Sequence, residues 1–359
     1  MYQSIRPLLF KLEPERIHSI TLRLIQLAGQ LPPTYALLKR MFEVDDPRLE
    51  VEAFGLKFKN PIGLAAGYDK NGVAVKGLSA LGFGHVEVGT VTRHKQIGNP
   101  RPRVHRVIEA QGVINSMGFP NDGVDALKVV QGDARCRVGI NIGKSKDTPI
   151  EQAADDYCAL FKRVYCDADY VAINISSPNT LNLRQLQARE LIENLLKQVA
   201  VTRDAAMHPT RRAPASRTGR ERSAAKSKDA RVPLLVKIAP DLTEGEIDDV
   251  LAAISSTGLD GIIATNTTVG RSGIPDRYRN LKGGLSGAPL RDRSTAVIRY
   301  IAQRTEGKLP IVGVGGIASA RDAIEKLDAG ATLLQVYTGL IYAGPSLVQQ
   351  INRALISRS

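Results

Sequence analysis

Eight short apolar runs recur along the chain, each bounded by turn-forming or polar residues. They are 61–66 (PIGLAA), 85–89 (HVEVG), 137–142 (RVGINI), 169–175 (DYVAINI), 233–238 (PLLVKI), 260–264 (DGIIA), 310–314 (PIVGV) and 332–336 (TLLQV). Apolar on both faces, these runs read as parallel strands buried from both sides. Between them, 244–256 and 319–328 carry amphipathic helical periodicity, with Thr243 and Ser319 as N-caps. Strands alternating with helices predict an α/β fold, a (β/α)8 TIM barrel; a doubly wound sheet is the other topology the pattern allows. Each run leads directly into a polar, Gly-rich or Asn-rich turn, such as AAGYDKNG, INISSPNT or VGGIAS. That favours the barrel, where eight such strand ends would surround a single site.

The first 45 residues follow a different rhythm. Ile5, Leu8, Leu9 and Leu12 share one helical face, and Pro14 suits the first turn of a second helix carrying Ile17, Ile20, Leu24, Leu27 and Ala28. Pro32 and Pro33 should end it, with a third short helix over 35–41. Such helices either pack on the barrel or lie on a membrane surface, with Arg6, Lys11, Arg16 and Arg23 near lipid head groups. The domains are therefore 1–45, a helical extension, and 46–359, the barrel.

Composition narrows the class. Of 359 residues, 43% are apolar and 24% charged, as in a soluble globular protein. No run approaches the ~20 apolar residues of a membrane-spanning helix, and the start lacks the apolar core of a signal peptide. Cys136, Cys158 and Cys166 form no CxxC pair and no disulfide framework, so a reducing compartment and no metal site are expected. The net charge of +13 is local: eight basic residues against two acidic ones lie between His208 and Arg231. Without aromatic residues between the charges, this stretch reads as a solvated, disordered insertion rather than a nucleic-acid arm.

Four features carry candidate chemistry. Gly315 and Gly316 (GVGGIAS) follow the seventh strand and open a helix, and Tyr337-Thr338-Gly339 end the eighth. Together they match the phosphate site of barrels and call for a phosphorylated ligand. The segment 139–147 (GINIGKSKD) lacks the first glycine of a P-loop, Val138 standing in its place, and no GxGxxG follows a first strand. In AINISSPNT, Asn174, Ser176, Ser177 and Asn179 crowd a strand end; a serine base there needs an electron-accepting ring beyond its substrate. Lys237, inside the apolar PLLVKI, requires an anionic partner, and Lys70 lies just past a strand end. Asn115, Asn141, Asn266 and Thr267 complete a set suited to imide and amide groups.

The motifs AAGYDK, GTVT, INSMGF, INIGK, INISSPNT, VKIAPDL, ATNTT, GGLSG, GVGGI and YTG occur in the order found in quinone-dependent (class 2) dihydroorotate dehydrogenases. The chain resembles that family over nearly its whole length, the basic insertion excepted. The resemblance implies one FMN per chain and oxidation of (S)-dihydroorotate to orotate in de novo pyrimidine synthesis. Ser177 would remove the C5 proton while the C6 hydride passes to flavin N5. Substrate would meet Lys70, Asn115, Ser116, Met117, Gly118, Phe119, Asn174, Asn179, Asn266 and Thr267. FMN would be held by Ala66, Gly67, Thr90, Asn141, Asn174, Lys237, Thr265, Gly287, Gly316, Tyr337 and Thr338. His18 and Arg106 would line the route of ubiquinone or menaquinone through the N-terminal helices. It further implies a monomer, peripheral on the cytoplasmic face of a bacterial inner membrane. The alternative is the soluble class using fumarate or NAD, which carries cysteine where this chain has Ser177.

Overall fold

The structure, a computed structural model, describes residues 2–130, 133–207 and 231–358. Eight parallel strands close a barrel: β1 (Ile62–Leu64), β2 (His85–Val91), β3 (Arg137–Ile142), β4 (Tyr170–Asn174), β5 (Leu234–Ile238), β6 (Gly261–Ala264), β7 (Ile311–Val314) and β8 (Leu333–Val336). Each pairs with its sequence neighbour, and β8 returns to β1. All eight expected runs are strands, and the doubly wound alternative is excluded by closure. The helix of 244–257 starts with a capping box in which the Thr243 side chain accepts from the Glu246 N–H and Glu246 reaches back to the Thr243 N–H.

The amino end of the barrel is plugged by a hairpin, Val51–Ala53 with Leu56–Phe58. Its two-residue turn needs positive φ at Phe54 (54°) and Gly55 (71°). Phe54 keeps that conformation while its ring lies where a side chain on Gly261 would clash, 2.6 Å from that position. Phe58, Ala65, Tyr170, Leu235, Ile263, Val312 and Leu333 fill the barrel interior behind it.

Three helices cross the carboxyl end: α1 (Tyr2–Phe10), α2 (Pro14–Gln30) and α3 (Pro32–Phe42). The Glu13 carboxylate caps α2 by accepting from the Glu15 and Arg16 N–H groups. Pro32 opens α3 instead of merely ending α2, and that helix runs longer than 35–41. A proline lacks the N–H that a first turn leaves unpaired anyway. The α2 helix reaches the barrel through a glycine contact: a Cβ on Gly29 would lie 2.5 Å from the Gly77 nitrogen. Its buried Glu15 pairs with Arg103, at 2.9 Å from Nη2 and 3.1 Å from Nε. The outer face stays apolar and exposed at Ile5, Leu8, Ile20, Leu24, Leu27, Leu31, Leu37 and Met41.

A three-stranded antiparallel sheet (Val104–Val107, Gly112–Asn115, Gly284–Gly287) stands beside the barrel mouth, and the sequence pattern did not announce it. The basic insertion lies, except for Arg231, outside the described residues. Arg231 is held rather than free: it donates to the Gly258 carbonyl and pairs with Asp260 at 3.3 Å. The described chain on either side of the insertion is a helix (Arg189–Met207) and β5, which begins at Leu234.

Candidate active site

A cavity of about 860 Å³ occupies the carboxyl end of the barrel and extends outward between α1 and α2. Its outer part is apolar, with Leu9, Ile17, Leu24 and Ile25; its floor carries Asn174, Ser177, Lys237 and Asn266. One space thus joins the helical extension to the polar strand ends.

The floor is built on a buried carboxylate. Glu87, on β2 and wholly buried, accepts from Asn141 Nδ2 (2.9 Å), Gln335 Nε2 (2.7 Å) and the Tyr170 hydroxyl (3.1 Å). Lys237 Nζ lies 3.7 Å away, so the anionic partner its burial demands is Glu87. Burial first, then the Glu87 charge, push the Tyr170 hydroxyl well above the usual phenol range, so it stays protonated and donating. Above this layer, Thr90 donates to Asn141 Oδ1 at 2.5 Å, and Asn174 Nδ2 donates to Thr90 Oγ1 at 2.9 Å.

Ser177 sits one turn beyond β4. Its Oγ accepts from the Asn179 N–H at 3.2 Å and lines the cavity, with no imidazole or carboxylate among its hydrogen-bond partners. Neighbouring amides are tied together: Asn179 Nδ2 donates to Asn115 Oδ1 (3.1 Å), and Asn266 Nδ2 donates to Ser176 Oγ (3.0 Å). Thr267 Oγ1 is buried in the cavity wall without a hydrogen-bond partner among the described residues, a polar atom left for a ligand. Lys70 donates to the Gly67 carbonyl at 2.7 Å. Enclosure in the cavity lowers its pKa to about 8, with Glu15 and Asp69 opposing the shift and Arg103 adding to it.

At the outer end, the His18 ring meets Tyr68 edge-on at 4.9 Å, and Tyr68 meets Tyr337 in the same manner at 5.8 Å. Desolvation, aided by the Lys70 charge, lowers the His18 pKa to about 4, so its ring is neutral near pH 7. Arg106 donates to the Phe10 and Leu12 carbonyls (3.1 and 2.9 Å) and lies 4.7 Å from the Phe10 ring centroid, clamping the end of α1.

The cavity wall includes Ala66, Gly67, Lys70, Thr90, Asn115, Met117, Gly118, Phe119, Asn174, Ser177, Asn179, Lys237, Thr265, Asn266, Thr267, Gly287, Tyr337 and Thr338, together with His18 and Arg106. Asn141 stands behind Thr90 and Asn174. Ser116 points its carbonyl at Asn99, and Gly316 packs so closely that a Cβ would lie 2.4 Å from Arg291 Cα. The helix after Gly315-Gly316 begins at Ala320 with Ser319 as its N-cap, as the sequence predicts, so the two glycines lie ahead of its first turn. Asp322 takes the Ala318 N–H at 3.0 Å, so that amide is already paired and Gly315-Gly316 are left as the backbone ahead of the helix. The helix that opens on the cavity is the short Thr338–Ala343 turn after β8.

Sequence reasoning missed Glu87, Tyr170 and Gln335, and also the Glu15–Arg103 pair. A signal for Glu87 existed: a carboxylate in the apolar run HVEVG is as anomalous as a lysine in PLLVKI.

The closed barrel, the glycines behind its last two strands and the amide-rich floor define a (β/α)8-barrel enzyme site. A family model described as dihydroorotate dehydrogenase matches residues 48–358, and the chain belongs to that family. A protein of Christiangramia forsetii named dihydroorotate dehydrogenase (quinone) is 44% identical over 100% of this chain and 99% of its own. A Gloeobacter violaceus protein of the same name is 48% identical over 100% and 94%. A crystal structure of the Eimeria tenella enzyme in complex with ferulenol superposes with a TM-score of 0.84 at 35% identity, covering 98% of this chain and 94% of that one.

Proposed function

We propose that the protein oxidises dihydroorotate to orotate with FMN as its cofactor and a respiratory quinone as electron acceptor. The observation that carries this reading is the single cavity running from the apolar faces of α1 and α2 to Ser177. The name borne by its full-length relatives agrees with it. The soluble alternative, using fumarate or NAD, is not favoured: Ser177 stands where it requires cysteine, and the helical extension has no use there.

The residues present fit FMN. Gly287, Gly315 and Gly316 adopt φ of 96°, 124° and 76°, leaving backbone without side chains beside Thr338, a cradle of the kind that admits a phosphate. Ala66, Gly67, Thr90, Asn174, Lys237, Thr265 and Tyr337 would hold the ring system, with Asn141 supporting from behind. When bound, the flavin supplies a two-electron acceptor for the substrate's hydride.

The chain's own part is acid–base and positional. Ser177 Oγ takes the C5 proton as its own hydroxyl proton passes on to solvent; its weak basicity suffices because negative charge leaves the substrate as the proton does. The Asn179 N–H orients that oxygen. Lys70 neutralises the substrate carboxylate, and Asn115, Asn179, Asn266 and Thr267 meet its amide groups, with Met117 to Phe119 closing over it. Lys237, held by Glu87, would present positive charge to the flavin ring when it is bound. His18 and Arg106 flank the quinone route, and the exposed apolar faces of α1–α3 rest on the membrane as a peripheral anchor. No described helix is long and apolar enough to cross a membrane. We place the chain, as a monomer, on the cytoplasmic face of a bacterial inner membrane.

The test is orotate formation by the purified protein, its flavin extracted and identified, with a ubiquinone analogue, fumarate or NAD in separate reactions. Turnover with quinone and released FMN is the expected result; turnover with fumarate or NAD overturns the acceptor.

A further inference from the structure

Lys326, on the helix Ala320–Asp328, has a fully buried side chain. Its Nζ donates to the Thr295 hydroxyl (3.0 Å), the Ser294 hydroxyl (3.2 Å) and the Arg291 carbonyl (3.3 Å), all uncharged acceptors on the helix Arg291–Arg304. Among the described residues no carboxylate forms an ion pair with it; Asp322 and Glu325, whose charges act on it, pair with Arg291 instead. An ammonium taken from water without an anionic partner is costly, so a buried one marks a place where an anion is expected.

The neighbours of Lys326 include the glycine turn that follows β7. Ser294 Oγ, which accepts from Lys326, donates to the Val314 carbonyl at 2.6 Å, the last residue of β7. A Cβ on Gly315 would stand 3.0 Å from that same Oγ, and one on Gly316 would stand 2.4 Å from Arg291 Cα. Lys326 therefore sits directly behind the two glycines, one hydroxyl away from their backbone. The charged groups around it do not supply a dedicated counter-ion. Asp322 is shared between the Ala318 N–H, Ser319 and Arg291; Asp292 pairs with Arg291; and Glu325 lies 3.9 Å from the Arg291 guanidinium.

We propose that Lys326 is a positioning residue for the cofactor phosphate: its buried ammonium is the counter-charge, acting through Ser294 and the Gly315-Gly316 backbone, that makes the cradle select a phosphorylated flavin. The inference rests on the FMN reading. Burial lowers the Lys326 pKa to about 8, with Glu325 and Asp322 opposing the shift and Arg291 adding to it. A phosphate dianion arriving nearby would raise it again. Binding of FMN near pH 8.5, where the phosphate is already fully ionised, should then draw a proton onto the protein.

The experiment strips flavin from the full chain and titrates FMN and riboflavin back, following flavin fluorescence, for the wild type and Lys326→Met. Methionine keeps the length and apolar stem while removing the charge. The variant should bind FMN about tenfold more weakly or worse, a change of about 1.4 kcal/mol, with riboflavin affinity unchanged. Equal loss of both ligands, or loss of neither, overturns the proposal, since a merely structural lysine would not distinguish them. Should Lys326→Met fail to fold, calorimetry of the wild type at pH 8.5 in buffers of different ionisation heat decides. Proton uptake with FMN but not riboflavin supports the role, and its absence refutes it. A wild-type chain that binds no flavin at all defeats the proposed function as well, which separates the two failures.

Discussion

Ser177 carries the chemical step in this account, and nothing near it resembles the base of a hydrolase triad. Among the described residues its hydrogen bond is from the Asn179 N–H, so the C5 proton has to become more acidic as the hydride's charge leaves the substrate. Ser177→Ala should slow dihydroorotate-driven flavin bleaching by roughly 10²- to 10⁴-fold, measured by stopped flow, with the KM little changed. A loss of only a few-fold would remove the serine from the mechanism. Lys70 makes a different prediction. With its pKa lowered to about 8, it loses its charge as pH rises past that value, and the substrate carboxylate loses its partner. The KM for dihydroorotate should climb above pH 8 while kcat does not fall with it; a flat KM up to pH 9.5 would contradict the assignment. His18 bears on stability. Its folded pKa of about 4 lies below the ordinary 6.5, so between those values the unfolded chain binds a proton that the folded chain refuses. Stability therefore falls as pH falls through that window, and urea titrations of His18→Gln should show a shallower decline there.

At the scale of the element, α2 is the joint between the two halves of the proposed reaction. Its Glu15 carboxylate is buried against Arg103, whose Nη1 also holds the Ile97 and Asn99 carbonyls. Breaking a buried pair leaves an uncompensated charge, at a cost of about 3–5 kcal/mol. Glu15→Ala should expose the extension to limited proteolysis and depress quinone-supported turnover several-fold, with anaerobic bleaching by dihydroorotate retained. Loss of both in parallel would mean that α2 holds the whole site together and does not serve the acceptor side alone. Elements differed in how far the chain alone revealed them. The eight barrel strands were readable because burial on both faces leaves continuous apolar runs, and Thr243 and Ser319 declared their helices by capping chemistry. The three-stranded sheet was not readable: its strands GVIN and GLSG are short and glycine-rich, and they pair across 170 residues of chain. The site residues at strand ends were legible as motifs. The Glu87 layer was hidden because closure alone brings Asn141, Tyr170, Lys237 and Gln335 around one carboxylate from four other strands.

Across the whole molecule, the barrel supplies a fixed polar floor and the N-terminal helices supply an apolar entrance, and one cavity makes them a single device. Removing residues 2–42 should leave the barrel folded, since its strands close without them, and should leave bleaching by dihydroorotate intact. Reoxidation by a long-tailed quinone should become slow, and sedimentation with lipid vesicles should be lost. The described residues that flank the basic insertion, Met207 and Arg231, lead into the amino end of β5, so deleting 209–230 should change neither half-reaction. The most direct test of the account is anaerobic mixing of the purified full chain with dihydroorotate, followed by separate additions of a ubiquinone analogue, fumarate and NAD. The account predicts that the flavin band bleaches and recovers with quinone alone. Recovery with fumarate or NAD, or no bleaching of a flavin-loaded protein, would contradict it.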